Sequence, residues 1–346
     1  MQKIVFYIGS LARGGAQRVI VTLANALARE GISCVVVTSY KVCNEYNLDN
    51  DVKRIVLIEN PQNKFFRDNI TQVAGLRKIL KKEAPDSVVS FMGEPNIRML
   101  LSSIGLRCKK IISVRNDPSC EYPNFIYRFF ARTFFRLANH IVFQTGDAQC
   151  WFPKVIQRKS SIILNPVSDV FFKTNYAGNR RDIVSVGRLV PQKNHEMTIR
   201  AFAKVANLTK DNLIIYGDGP LKKELQNLVL NLNLSGRVFF PGNEKNIHEK
   251  IKSSKLFVLS SYYEGLPNSL MEAMALGLPC VSTDCPCGGP KMLLNSDFLI
   301  KINDNQKLSQ FMLKNDGGNF FDNNYRIKTE SFQEKNVIKE WIKVIL

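Results

Sequence analysis

No apolar run in this 346-residue sequence approaches the ~20 residues needed to span a bilayer; the longest, Lys255–Tyr263, falls far short. The N-terminal run Ile4-Val5-Phe6-Tyr7-Ile8 stops at Gly9-Ser10. That is too short for the core of a secretion signal, so it reads as a buried first strand. A cytosolic protein, at most lying on a membrane surface, is expected. Eight cysteines offer a single close pair, Cys285-Pro286-Cys287, with no second pair to complete a zinc site. Without a secretion signal they read as reduced thiols. Neither half carries a G-x-G-x-x-G after its first strand, and there is no helix-turn-helix, zinc or RNP-type signature. Asp49-Asn50-Asp51 is a lone D-x-D in a polar loop, and no metal is expected there or elsewhere.

Acidic residues are also scarce. Thirty Asp and Glu face 48 Lys and Arg, a net charge of +18. Residues 1–170 hold 24 basic against 13 acidic side chains, so the surplus leans toward the first half. Such a balance favours anionic partners: nucleic acid, phospholipid headgroups or phosphorylated substrates. A plain solubilising surface is the alternative. The absence of any nucleic-acid signature removes the first of these partners.

What is abundant is alternation. Short β-branched runs alternate with helical patterns, which predicts parallel sheets covered by helices. Strands are expected at 4–8, 33–38, 87–91, 110–114 and 141–144, and a second series at 182–186, 212–216, 237–240, 256–259 and 280–282. The break Leu164-Asn165-Pro166-Val167-Ser168-Asp169 separates the series, giving domains at 1–170 and 171–330.

Five turns draw attention. Gly14-Gly15, after the first strand, opens a helix with Val19, Leu23 and Leu27 on one face. Glycines there either admit a ligand to free N–H groups or merely make the turn. In Gly187-Arg188-Leu-Val-Pro-Gln-Lys193-Asn194, a guanidinium and an ammonium share one loop, which suits a diphosphate. Two solvated basic residues would look the same. Tyr216-Gly217-Asp218-Gly219-Pro220 is largely structural in character; only its free N–H groups suggest a ligand. In Glu264-Gly265-Leu266-Pro267-Asn268-Ser269-Leu-Met-Glu272, Ser269 and Glu272 fit a helix capping box. Glu264 has no such account, and a carboxylate beside a buried strand end needs a partner, such as sugar hydroxyls. The turn 284–290 requires unusual backbone angles, either to shape a site or as a surface loop.

Together these residues resemble a known family. Glu264 and Glu272 fit the E-x7-E pattern of retaining glycosyltransferases, and the tract 264–275 resembles glycosyltransferase family 4. The 187–194 loop, the 216–220 turn and Gly14-Gly15 match that family in order and spacing, over residues 1 to about 294. The resemblance implies an α/β chain of the GT-B fold, with two Rossmann-like doubly wound domains facing a cleft. It also implies a C-terminal helix in 331–346, carrying Trp341, that crosses back to the first domain. The donor would be a nucleotide sugar, used as substrate, with neither cofactor nor metal. Arg188 and Lys193 would hold its diphosphate, Glu264 its sugar and Glu272 the ribose hydroxyls. The backbone of Gly265, Leu266 and Asn268 would lie around the sugar, Gly217 and Asp218 would line the donor site, and Gly15 would approach the diphosphate. The implied enzyme is a hexosyltransferase building a surface polysaccharide from a UDP-sugar (N-acetylglucosamine, galactose or N-acetylgalactosamine). A catalytically inactive sugar-nucleotide-binding protein of the same fold is the rival reading.

The chain departs from the family in two places. Where many relatives carry a histidine near the reacting sugar, this sequence reads Ser113-Val114-Arg115-Asn116-Asp117-Pro118. Arg115 and Asn116, with Arg18, are the candidates for the acceptor or reacting-sugar side. After Pro290, Lys291-Met292-Leu293 replaces the usual Arg-Glu-Ile, and a glycine-rich stretch is missing. Residues 124–138 place Arg128, Arg132 and Arg136 four apart among five phenylalanines. Either this helix lies on an anionic lipid surface, or its phenylalanines are core and its arginines a solvated stripe. The first reading suits a lipid-linked acceptor and a peripheral position on the inner face of the cytoplasmic membrane.

Overall fold

A computed structural model describes residues 2–59, 65–174, 176–313 and 328–346. The chain divides into two compact units, Met1–Pro166 with Lys335–Leu346, and Val167–Glu334. The division thus falls at Pro166 rather than residue 170, and the final helix, Glu334–Ile345, belongs to the first unit.

The first unit is a seven-stranded parallel sheet of β1 (Lys3–Ile8), β2 (Ser33–Thr38), β3 (Lys53–Val56), β4 (Ser87–Phe91), β5 (Lys109–Ser113), β6 (His140–Phe143) and β7 (Ser160–Ile162). The spatial order is β3-β2-β1-β4-β5-β6-β7. Its central strands are covered by helices on both faces, so β4 is buried at every residue and reads as an apolar run rather than an alternation. On the helix Gly15–Arg29, Val19, Leu23 and Leu27 are buried, as their spacing predicts. The terminal helix packs Trp341 face to face on Phe91, with ring centroids 5.2 Å apart, and its Ile345 carbonyl accepts from Ser87 Oγ at 2.7 Å.

The second unit is a six-stranded parallel sheet of β8 (Arg181–Val186), β9 (Leu213–Tyr216), β10 (Val238–Gly242), β11 (Ser254–Leu259), β12 (Cys280–Thr283) and β13 (Leu299–Ile300), in the order β10-β9-β8-β11-β12-β13. Its core joins Ile183, Ile215, Leu256 and Val281 from the strands to Phe202, Leu225 and Phe311 from the helices. All ten expected strands are present within a few residues. The three not foreseen, β3, β7 and β13, are short and lie at or next to sheet edges, where little apolar pattern is needed. Each sheet has a switch point where strand order reverses: β1 beside β4 in the first, β8 beside β11 in the second. Ligands of open α/β sheets bind outside the carboxyl ends of strands at such points.

Candidate functional site

The loops leaving β8 and β11, neighbours at the second switch point, bring Lys193 and Glu264 together across 71 residues of sequence. Lys193 Nζ lies 2.5 Å from Glu264 Oε1, and Ser261 Oγ donates to the same oxygen at 2.6 Å. Glu264 is 6% exposed, so its carboxylate has left water. The ammonium and the hydroxyl are what make that burial tolerable. Its Oε2 has no protein partner among the described residues.

Three loops are tied into one surface. Ser260 Oγ donates to the carbonyls of Lys193 and Asn194 (3.0 and 2.9 Å), and Gln192 Nε2 to that of Tyr263 (2.9 Å). Thr283, ending β12, donates to the Ser261 carbonyl at 2.6 Å. Asn194 sits at φ 48° and caps the helix His195–Ala203 through its side chain. The sequence reading passed over His195, which is buried and bonds the Arg188 carbonyl through Nε2 at 3.3 Å. A carbonyl only accepts, so Nε2 carries the proton. Burial first, and then Lys193, push its pKa down to about 4, so the ring is neutral at physiological pH. It fixes the backbone of Arg188, whose own guanidinium is exposed and makes no side-chain bond among the described residues.

Glycines set the spacing of these turns. A Cβ on Gly289 would lie 1.8 Å from the Gly265 carbonyl oxygen, so only glycine lets the 284–290 turn abut the Glu264 loop. Cys285 and Cys287 within that turn are buried, and Cys287 and Gly288 have positive φ. The turn therefore shapes the site and is not a surface loop. Both are reduced thiols outside any disulfide, and burial raises the Cys285 pKa to about 12, an inert thiol.

Two expectations change here. The helix opens at Asn268 behind Pro267, so Ser269 is inside it and Glu272, 7% exposed, stands in its second turn. Ser269 is therefore no N-cap, and the capping-box account of Glu272 falls. The N–H of Gly217 bonds the Gly242 carbonyl (2.8 Å), and that of Gly219 bonds Asp218 Oδ1 (2.8 Å). Those two N–H groups are thus already engaged, and a Cβ on Gly217 would lie 1.9 Å from the Gly187 carbonyl oxygen, so the glycine serves close backbone packing. Asp218 itself is exposed and 4.0 Å from Lys222. The helix expected from Pro220 starts at Lys222.

In the first unit Gly15 is the exposed first residue of its helix, and Arg18 follows one turn later. Asp49 pairs with Arg29 at 2.7 Å, and no group of residues able to hold a metal occurs among the described residues. Arg115 stands just past β5, and Asn116 follows it, partly exposed. Glu121, not foreseen, bonds the Gly93 N–H at the start of the helix Gly93–Ser102, and burial pushes its carboxyl up to about 7. Most of the phenylalanines at 124–138 are not core. In the helix Phe125–Phe134, Phe125 is 81% and Phe129 56% exposed; of the five phenylalanines only Phe135, just beyond it, is fully buried. Arg132 and Arg128 stack on Trp151 at 4.9 and 5.9 Å, while Arg136 is exposed. No helix among the described residues is long and apolar enough to cross a membrane.

The family model described as Glycosyltransferase Family 4 matches residues 13–169, and that of Glycosyl transferases group 1 matches 167–314. The chain belongs to glycosyltransferase family 4. It is 27% identical, over 100% of its own length and 98% of the relative's, to the GalNAc-α-(1→4)-GalNAc-α-(1→3)-diNAcBac-PP-undecaprenol α-1,4-N-acetyl-D-galactosaminyltransferase of Campylobacter jejuni. Sucrose-phosphate synthase from Thermosynechococcus elongatus superposes with a TM-score of 0.82 at 16% identity, covering 99% of this chain and 98% of that one. Anabaena HepE in complex with UDP does so with a TM-score of 0.77 at 17% identity, covering 100% and 99%. At such identities the likeness speaks for the fold, which is GT-B with two Rossmann-like units.

Proposed function

We propose that this family 4 glycosyltransferase moves a hexosyl or N-acetylhexosaminyl unit from a UDP-sugar, with retention at the anomeric carbon, to a lipid-linked or polysaccharide acceptor at the membrane surface. The observation that carries this reading is the Lys193–Glu264 pair at the switch point of the second sheet, beside the exposed Arg188. An ammonium has three N–H donors. One holds Glu264, and the others remain for a diphosphate oxygen, so Lys193 can serve donor phosphate and donor sugar together. Glu264, anchored through Oε1, offers Oε2 to a sugar hydroxyl. Arg188 adds a two-pronged contact to the diphosphate.

As the glycosidic bond breaks, charge grows on the leaving diphosphate, and Arg188 and Lys193 stabilise it where it grows. The leaving phosphate then takes the acceptor's proton, which needs neither a second carboxylate nor a metal. Glu272 takes the ribose hydroxyls, and the backbone of Gly265, Leu266 and Asn268 surrounds the sugar. The Campylobacter relative, named for a diphosphoundecaprenol-linked glycan, supports a lipid-linked acceptor. UDP in the HepE complex supports the choice of nucleotide. The exposed Phe125 and Phe129, on a helix that also carries Arg128 and Arg132, suit an anionic lipid surface and support a peripheral position on the inner face of the cytoplasmic membrane.

The deciding experiment is a thermal-shift panel of UDP- and GDP-sugars with EDTA present, because a ligand bound only by the folded state raises its melting temperature. Stabilisation by the UDP series and turnover of one member are expected. Stabilisation without turnover on any lipid-linked acceptor would turn the reading toward a binding protein.

A further inference from the structure

The carboxyl ends of β5, β6 and β7 hold a second polar cluster, away from the switch point of their sheet. Arg115 follows β5, Gln144 follows β6 and Asn165 follows β7. Asn165 Oδ1 accepts from both Arg115 Nη2 and Gln144 Nε2, the latter at 2.6 Å, so the three heads converge on one oxygen. Gln144 and Asn165 are each 3% exposed. The flat face of the guanidinium lies 4.6 Å from the centre of the Phe91 ring, which Trp341 backs from the terminal helix.

This cluster is incompletely satisfied. Arg115 Nη1 reaches only Ser113 Oγ at 3.4 Å. Arg115 Nε and Gln144 Oε1 are both buried with no hydrogen-bond partner. No carboxylate pairs with Arg115 among the described residues. Burial pulls its pKa down to about 9, so it is still a cation at neutral pH. Native proteins rarely leave buried polar atoms unmade, and a buried cation without a counter-anion is costlier still. The Phe91 ring stabilises the flat face but leaves the N–H edge unanswered. An unanswered N–H of a cation calls for an anionic oxygen, and an unanswered carbonyl beside it calls for a hydroxyl. Both belong to side chains bonded to the same Asn165 oxygen, so one sugar can meet both.

We propose that Arg115, Gln144 and Asn165 form a recognition site for an anionic sugar, a phosphate or carboxylate with a neighbouring hydroxyl, carried by the acceptor. The assignment rests on the transferase reading, since transfer is what brings an acceptor to this unit. Arg115 is then a specificity-determining residue, and Phe91 and Trp341 position it.

Thermal shift separates the sources. The probes are glucose 1-phosphate, glucuronate, inorganic phosphate and neutral glucose, each with and without saturating UDP. Wild-type protein is expected to be stabilised by one charged sugar and not by glucose, with UDP present. The more effective charged sugar names the anion. Arg115→Met weakens that response about tenfold or more, and Arg115→Lys, which keeps the charge without the fork, restores part of it. Gln144→Met leaves the guanidinium in place, so it lowers the response to the charged sugar but not to inorganic phosphate. This second variant decides the matter if Arg115→Met fails to fold. A response to glucose equal to that of the charged sugars, no response to any, or one unchanged in both variants overturns the site. A response abolished by UDP assigns the anion to the donor and overturns the acceptor reading. If UDP alone gives no shift, the donor proposal fails by itself while the anion arms are still read.

Discussion

In the second unit the buried carboxylate of Glu264 meets an ammonium and a hydroxyl, whereas in the first the guanidinium of Arg115 meets an amide and a hydroxyl and keeps one N–H unanswered. Both stand at the carboxyl ends of parallel strands, and both take a charged group partly or wholly out of water. The first arrangement holds its charges in place before any ligand arrives, which is what stabilising a developing charge demands. The second leaves a buried donor and a buried acceptor without partners, which is what discrimination demands: a ligand lacking the matching groups leaves them unpaired.

The largest effect should come from cutting the satisfied pair. Lys193→Ala strands Glu264 as a buried, uncompensated carboxylate, and should cost about 3 kcal/mol of stability as well as nearly all turnover. Glu264→Ala leaves an ammonium able to turn to water, so turnover should fall as far while chemical denaturation shows a smaller loss. Equal losses in the two variants would mean that the pair is not asymmetric in the way its burial implies.

Next in size is Gly289→Ala. Its Cβ must push the Gly265 carbonyl from 1.8 Å to an ordinary contact, moving the Glu264 loop. A cost of about 1–3 kcal/mol is expected, with turnover falling more than donor binding. Wild-type kinetics would show that the loop's position is not what matters.

A smaller, pH-dependent effect should appear at Glu121. Its carboxyl is raised from 4.5 to about 7 in the fold, chiefly by burial. Between those values the folded state holds a proton that the unfolded chain has released, so this contribution to stability falls as pH rises through that window. Glu121→Gln keeps an acceptor for the Gly93 N–H and removes the titration. The variant should gain about 2 kcal/mol on the wild type between pH 5 and pH 8. A constant difference across that range would deny the shift.

The smallest effect on stability belongs to the exposed helix. Phe125→Ser with Phe129→Ser should change stability by less than about 0.5 kcal/mol, yet reduce co-sedimentation with phosphatidylglycerol vesicles severalfold. Undiminished sedimentation would remove this helix from the membrane reading.

The pattern of legibility follows from range. The central strands were readable because a strand buried on both faces must be apolar along its length. β3, β7 and β13 were not, since short strands at the edge can form from almost anything. Glu264 was singled out as a carboxylate in need of a partner, but Lys193 as that partner was hidden. Their meeting depends on β8 lying next to β11, and sequence order does not state sheet order. Ser269 misled because a capping box is recognised by spacing alone, whereas the helix opens one residue earlier, at Asn268 behind Pro267. Gln144 and Asn165 left no signal, since single polar residues after strands are common.

Local patterns in the sequence thus determined the elements, the parallel α/β class and the loops that carry Arg188, Lys193 and Glu264, because hydrophobic periodicity and turn chemistry act over a few residues. Only the tertiary structure decided which of those charges neutralise each other and which are left waiting. Desolvation depends on everything that packs around a group, and that neighbourhood is assembled from strands far apart in the chain.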